Sequence, residues 1–144
     1  MFEKKQNFIR LNLTAMNYVK INQTELHLEH ELWSKELTYW RDEIKVLEKY
    51  LTGLDHKKLP LGAGAEVEHF QNQFIRNRDV VHDLRHEVAN HEHLMSEIER
   101  SHSNEEFQEK LLDVHSGLRE KVNTGRKIYY ELKDEFRNWL AERL

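Results

Sequence analysis

VEHFQNQFIRNRDVVHDLRHEVANHEHLMSEI, residues 67–98, decides the fold. Val67, Phe70, Phe74, Asn77, Val81, Leu84, Val88, His91, Met95 and Ile98 recur in it at alternating three- and four-residue steps. That spacing is a heptad seam on one long helix, and only Asn77 and His91 interrupt its apolar character. A seam of this length needs facing helices to cover it, so the rest of the chain is read for partners.

The partners lie on either side. Leu26, His30, Trp33, Leu37, Trp40, Ile44, Leu47 and Leu51 form a seam before it, and Phe107, Leu111, Val114, Leu118, Val122, Gly125, Tyr129, Leu132, Phe136 and Trp139 form one after it. Gly53, Pro60, Gly62 and Gly64 break the chain between the first two. Ser103 followed by Glu106 reads as a capping box opening the third helix, and Asn22 with Glu25 as a weaker start of the same kind. Helices are expected at about 22–52, 65–100 and 103–142. Val114 to Leu118 and Leu118 to Val122 are both four-residue steps, a stutter that would locally unwind a supercoil. Both connections are short, so sequential helices are expected to be antiparallel. The fold class is therefore all-α: an elongated antiparallel three-helix bundle with coiled-coil-like packing.

Folding the chain at its two loops aligns the seams. Val67 falls level with Leu51 and Trp139, Phe70 with Leu47 and Phe136, and Val81 with Leu37 and Gly125. Asn77 falls level with Trp40 and Tyr129, whose indole N–H and phenol suit a buried amide. This is read as a structural polar layer that fixes register. Gly125 weakens a helix by ~1 kcal/mol relative to alanine. It falls level with the stretch between Trp33 and Trp40, where large rings need room.

Residues 1–21 stand outside this scheme. Phe8, Ile9, Leu11, Leu13, Met16, Tyr18, Val19 and Ile21 make the segment too apolar for a disordered tail. It is read as a helical extension or a short strand. Because most of a helical extension would overhang the bundle, a homodimer through residues 1–21 is expected.

Composition narrows the function. The 144 residues hold no cysteine, which removes thiolate sites and disulfides and fits a cytoplasmic location. A net charge of −4 gives no nucleic-acid footprint. No apolar run approaches the ~20 residues that span a bilayer, and no secretory leader is expected. No glycine-rich phosphate loop and no nucleophile motif occurs, so an enzyme is not expected.

The ten histidines divide by face. His82, His86 and His93 fall on the outer face of the second helix, where His82 and His86 form an i,i+4 pair. The inner group is more informative. His30 and His91 occupy seam positions in adjacent layers. His27 lies one turn from His30, Glu87 one turn from His91, and His115 beside Val114 at the same level. His27, His30, Glu87, His91 and His115 are thus the candidate metal ligands, a donor set that suits zinc, iron or manganese. Bundle cores are common places for such sites. Fragments of the hemerythrin pattern occur at His27/Glu31, His82/His86 and His115/Glu120, but the register sets His82 ~13 Å along the axis from the inner group. The ferritin-like Glu-x-x-His has its one plausible instance at Glu66/His69, at a helix start and off the seam. Neither family is matched. Two expectations follow: a non-enzymatic helical protein that self-associates or docks on a protein partner, or a metal-binding protein using the inner histidine group.

Overall fold

The computed structural model describes the backbone of residues 2–101 and 105–143, and side chains within 23–55, 57–101 and 105–143. Three long helices pack against one another: α1 (Phe2–Thr52), α2 (Ala63–Ser101) and α3 (Glu105–Arg143). A short 3-10 turn, His56–Lys58, lies between α1 and α2. Among the described residues there is no strand, and no helix is long and apolar enough to cross a membrane.

Asn22 does not start a helix. The backbone runs as one helix from Phe2, so the strand alternative for the N-terminal segment is not adopted. Side chains of residues 1–22 lie outside those described, as does the dimer contact assigned to residues 1–21. Ser103, the expected cap of α3, also lies outside them. The α1–α2 connection is the glycine/proline cluster. Gly53 N–H closes the end of α1 on the Lys49 carbonyl at 3.0 Å, and Gly62 takes φ +95°, a left-handed conformation that favours glycine.

All ten seam positions of residues 67–98 are buried. So are Leu26, His30, Trp33, Leu37, Trp40, Ile44 and Leu51 of α1, with Leu47 partly buried. The α3 seam differs from expectation at two points. Val114 is 57% exposed and His115 is buried in its place. With His115 on the seam, the steps from Leu111 through Leu118 to Val122 run four, three, four, so the stutter disappears. Choosing the apolar neighbour over the histidine created it. Phe107, also placed on the seam, is 47% exposed.

Contacts between the helices set their directions. His30 meets His91 while Glu48 meets Arg78, so α1 and α2 are antiparallel. His69 meets Glu135 and Glu87 meets Lys121, so α2 and α3 are too. The edge between α1 and α3 is consequently parallel, and a heptad ladder of charge runs along it. Glu29 pairs with Arg119, Glu36 with Arg126 and Glu43 with Lys133, each ninety residues apart. Carboxylates on one helix and cations on the next at seven-residue intervals are the flanking pairs of a coiled-coil seam.

The end of the bundle near the α1–α2 turn is filled with rings. Phe74 meets Phe136 edge-on at 5.0 Å between centroids, and Phe70 lies 5.2 Å from Phe136 and 5.1 Å from Trp139. Fully burying one such side chain stabilises by roughly 1.5–3 kcal/mol. Midway along, the expected polar layer is rearranged. Asn77 is buried, but its amide donates to the Gln73 carbonyl one turn back, at 2.8 Å, and not to Trp40 or Tyr129. A mid-helix Asn has that carbonyl within immediate reach. Trp40 and Tyr129 instead stack on each other at 5.6 Å. The Tyr129 hydroxyl donates to Glu43 at 2.6 Å, a charge-assisted bond. Trp40 Nε1 is buried without a hydrogen-bond partner among the described residues. Gly125 sits where a Cβ would approach Leu84 Cδ1 to 3.3 Å and the Trp40 ring to 3.9 Å.

Candidate metal centre

Three heptads from Phe70 along α2 and from Phe136 along α3, the same seam carries imidazoles. Each helix supplies one: His30 from α1, His91 from α2 and His115 from α3, all buried. His30 Nε2 lies 3.0 Å from His115 Nδ1 and 3.1 Å from His91 Nδ1. Trp33, one turn after His30, stacks on the His115 ring at 5.0 Å and fixes its plane. The facing nitrogens of the three rings all lie within 4.8 Å of one another.

The far nitrogens are held as well. His30 Nδ1 faces Glu92 Oε2 at 2.5 Å. His91 Nε2 faces the Leu111 carbonyl at 3.3 Å, and His115 Nε2 faces Glu29 Oε1 at 3.2 Å. Carbonyl and carboxylate oxygens only accept, so each far nitrogen must carry the hydrogen. That fixes the tautomers: in the neutral rings of His91 and His115, Nδ1 is a lone pair aimed at His30. His30 Nε2–H donates toward both. His30 thus presents an N–H on each side, one to Glu92 and one to the two neighbouring rings.

Electrostatics agree with this proton count. Burial, followed by the charge on His30, holds the His91 imidazole below its usual proton affinity. Burial pushes His115 down to about 4 against the opposing pull of Glu29. Glu29 is held low first by its hydrogen bonds from Arg119, then by His115. For Glu92, burial works toward the protonated form, but hydrogen bonds from His30 and His27 outweigh it and the carboxyl is held low.

Four of the five expected ligands come together here. His27 joins the group through Glu92, at 2.6 Å from its Nδ1. Glu87 does not. It pairs with Lys121 at 3.2 Å, because it lies on the side of α2 turned toward α3 while α1 occupies the other side of His91. Glu92, the residue after His91, projects toward α1 and takes the place assigned to Glu87. Glu29 and Arg119 were also missed, although Glu29, Glu36 and Glu43 already repeat at heptad spacing in the sequence. His82 and His86 stay apart from the centre, with their rings 4.6 Å from each other.

A tetrahedral ion with Zn–N bonds of about 2.0–2.1 Å needs its nitrogen ligands about 3.3 Å apart. Separations of 3.0 and 3.1 Å already approach that. Ligating histidines characteristically give their second N–H to a carboxylate or carbonyl, as all three do here. A cleft of about 460 Å³ between α2 and α3, lined by His91, Leu94, Val114 and Gly117 among others, reaches His91 from solvent. The chain matches no protein-family model, no curated protein and no solved structure.

Proposed function

We propose that this protein binds a divalent transition-metal ion through His30 Nε2, His91 Nδ1 and His115 Nδ1. One observation carries the reading: three imidazole nitrogens from three helices aim at one point, and an acceptor holds the far nitrogen of each. Loading the site replaces the hydrogen on His30 Nε2 with the ion and releases one proton to solvent. Three neutral imidazoles suit zinc and iron, whereas manganese prefers carboxylate oxygens. Drawing one ligand from each helix, the ion acts as a clamp on a helical scaffold. Elemental analysis of tag-free protein is the test. Bound zinc or iron that falls by one ion per chain in His91→Leu is expected; a native protein that neither retains nor rebinds metal overturns the reading.

A second reading, compatible with the first, is self-association. Leu28, Leu32, Tyr39, Val46 and Tyr50 are 51–62% exposed on α1. Their steps of four, seven, seven and four put them on one stripe, symmetric about Tyr39. Two copies paired antiparallel across Tyr39 set Leu28 against Tyr50, Leu32 against Val46, and Lys35 beside Asp42. A homodimer through this stripe is a different contact from the one expected at residues 1–21. Sedimentation should show a dimer that Tyr39→Glu converts to monomer; a monomeric native protein overturns it.

A further inference from the structure

The structure assigns a second ion seat on the solvent side of His30, formed by His30 Nδ1, His27 Nδ1 and the Glu92 carboxylate, so that His30 bridges two metals. This rests on the metal reading of the buried triad and extends it.

The geometry repeats the logic of the first seat. His27 Nδ1 lies 2.6 Å from Glu92 Oε1, His30 Nδ1 lies 2.5 Å from Glu92 Oε2, and these donor atoms all fall within 4.8 Å of one another. His27 then directs its other nitrogen to Glu99 Oε1 at 2.7 Å. Here too, an acceptor holds the far nitrogen of a ligating histidine. The two seats differ in exposure. The His30 side chain is 2% exposed, whereas those of His27 and Glu92 are 30% and 39% exposed. Water can therefore complete coordination at the outer seat. Two imidazole nitrogens with a carboxylate suit zinc and iron, and are kinder to manganese than the inner triad.

The proton balance closes. Facing Glu92 and Glu99, His27 carries hydrogen on both ring nitrogens, and His30 carries hydrogen on both of its own. The inner ion replaces His30 Nε2–H. The outer ion replaces His30 Nδ1–H and His27 Nδ1–H. Three protons leave to solvent, and the His30 ring becomes an imidazolate with an ion bonded to each nitrogen. Its negative charge, with that of Glu92, lies between or against the two cations and offsets their repulsion. The inner seat gives up one proton and the outer seat two, so the inner seat fills first.

Full-length, tag-free protein stripped by chelator and dialysed against zinc tests the assignment. The measurements use a His86→Gln background, which removes the exposed His82/His86 pair as a competing site. Two zinc ions per chain are expected, falling to one in Glu92→Gln and one in His27→Gln. The amide of Glu92→Gln still accepts from a ring N–H, so the fold is retained. One ion in the parent and one in Glu92→Gln overturns the second seat and leaves the first reading standing. Two ions in both places the second ion elsewhere and overturns it as well. No ion at all overturns the first reading itself. With copper(II) as the probe, the imidazolate bridge couples the two spins. The electron paramagnetic resonance signal per copper should drop between the one- and two-copper forms, and an undiminished signal overturns the bridge.

Discussion

The two ends of this bundle use one heptad seam for opposite kinds of core. Near the α1–α2 turn, Phe70, Phe74, Phe136 and Trp139 meet ring on ring. At the other end His30, His91 and His115 occupy equivalent seam positions. The aromatic end is held by apolar area and shape, which are indifferent to proton count. The histidine end is held by hydrogen bonds that exist only while His91 and His115 are neutral and Glu29 and Glu92 ionised. Periodicity puts a residue in the core; its chemistry then decides which solution conditions the core tolerates.

Breaking the aromatic end should cost most. Phe136→Ala removes a fully buried ring with Phe70, Phe74 and Trp139 around it. Denaturant titration should show a loss of about 3–5 kcal/mol, with no change in bound metal.

Acid should act on the other end first. The unfolded chain takes up protons on its histidines near 6.5, whereas folded His115 resists until about 4. Between those values the unfolded state binds more protons, so the stability of the metal-free protein falls as pH falls through that window. His115→Gln should flatten this limb in thermal melts. Glu43 gives a separate and later one. Its hydrogen bonds from Tyr129 and Lys133 outweigh burial and hold it below 4.5, so its contribution is lost only as pH falls beneath that value.

His91→Leu sharpens the contrast at smaller scale. It leaves the His30 N–H still facing His115, so no donor is orphaned. Metal-free stability should hold or rise by up to about 1–2 kcal/mol, while the rise in melting temperature on adding zinc shrinks to what the outer seat supplies. The smallest effect is expected at Gly117, where an added Cβ meets nothing within 4 Å. Gly117→Ala should stabilise by about 0.5–1 kcal/mol in chemical denaturation without altering metal content.

The same contrast explains what was legible in the sequence. Where seam residues are apolar, spacing and hydrophobicity agree, and the α2 seam and most of the α1 seam read directly. At His115 they disagree. Its neighbour Val114 has the apolar side chain, but the unbroken three–four alternation runs through the histidine. A polar residue earns no core position on hydrophobicity, yet this one is stabilised there by Glu29, His30 and the Trp33 ring. Glu92 was hidden for a different reason. Choosing it over Glu87 requires knowing on which side of α2 the first helix lies, and periodicity along one helix carries no such information. Asn77 was legible as buried but not as bonded, since its own backbone competes for the amide.

The placement of the turns gives the histidine layer a topological role. The α1–α2 turn lies at the aromatic end, so nothing in the covalent chain ties α1 to its neighbours at the level of His30. An ion there would close rings of 61 residues to His91 and 85 residues to His115. Closing rings of that size removes conformational freedom chiefly from the unfolded chain. Metal-free protein should then fray from the His30 end of α1 while the aromatic end stays shut. Amide hydrogen exchange would register it as protection that is graded along α1 without metal and level with it.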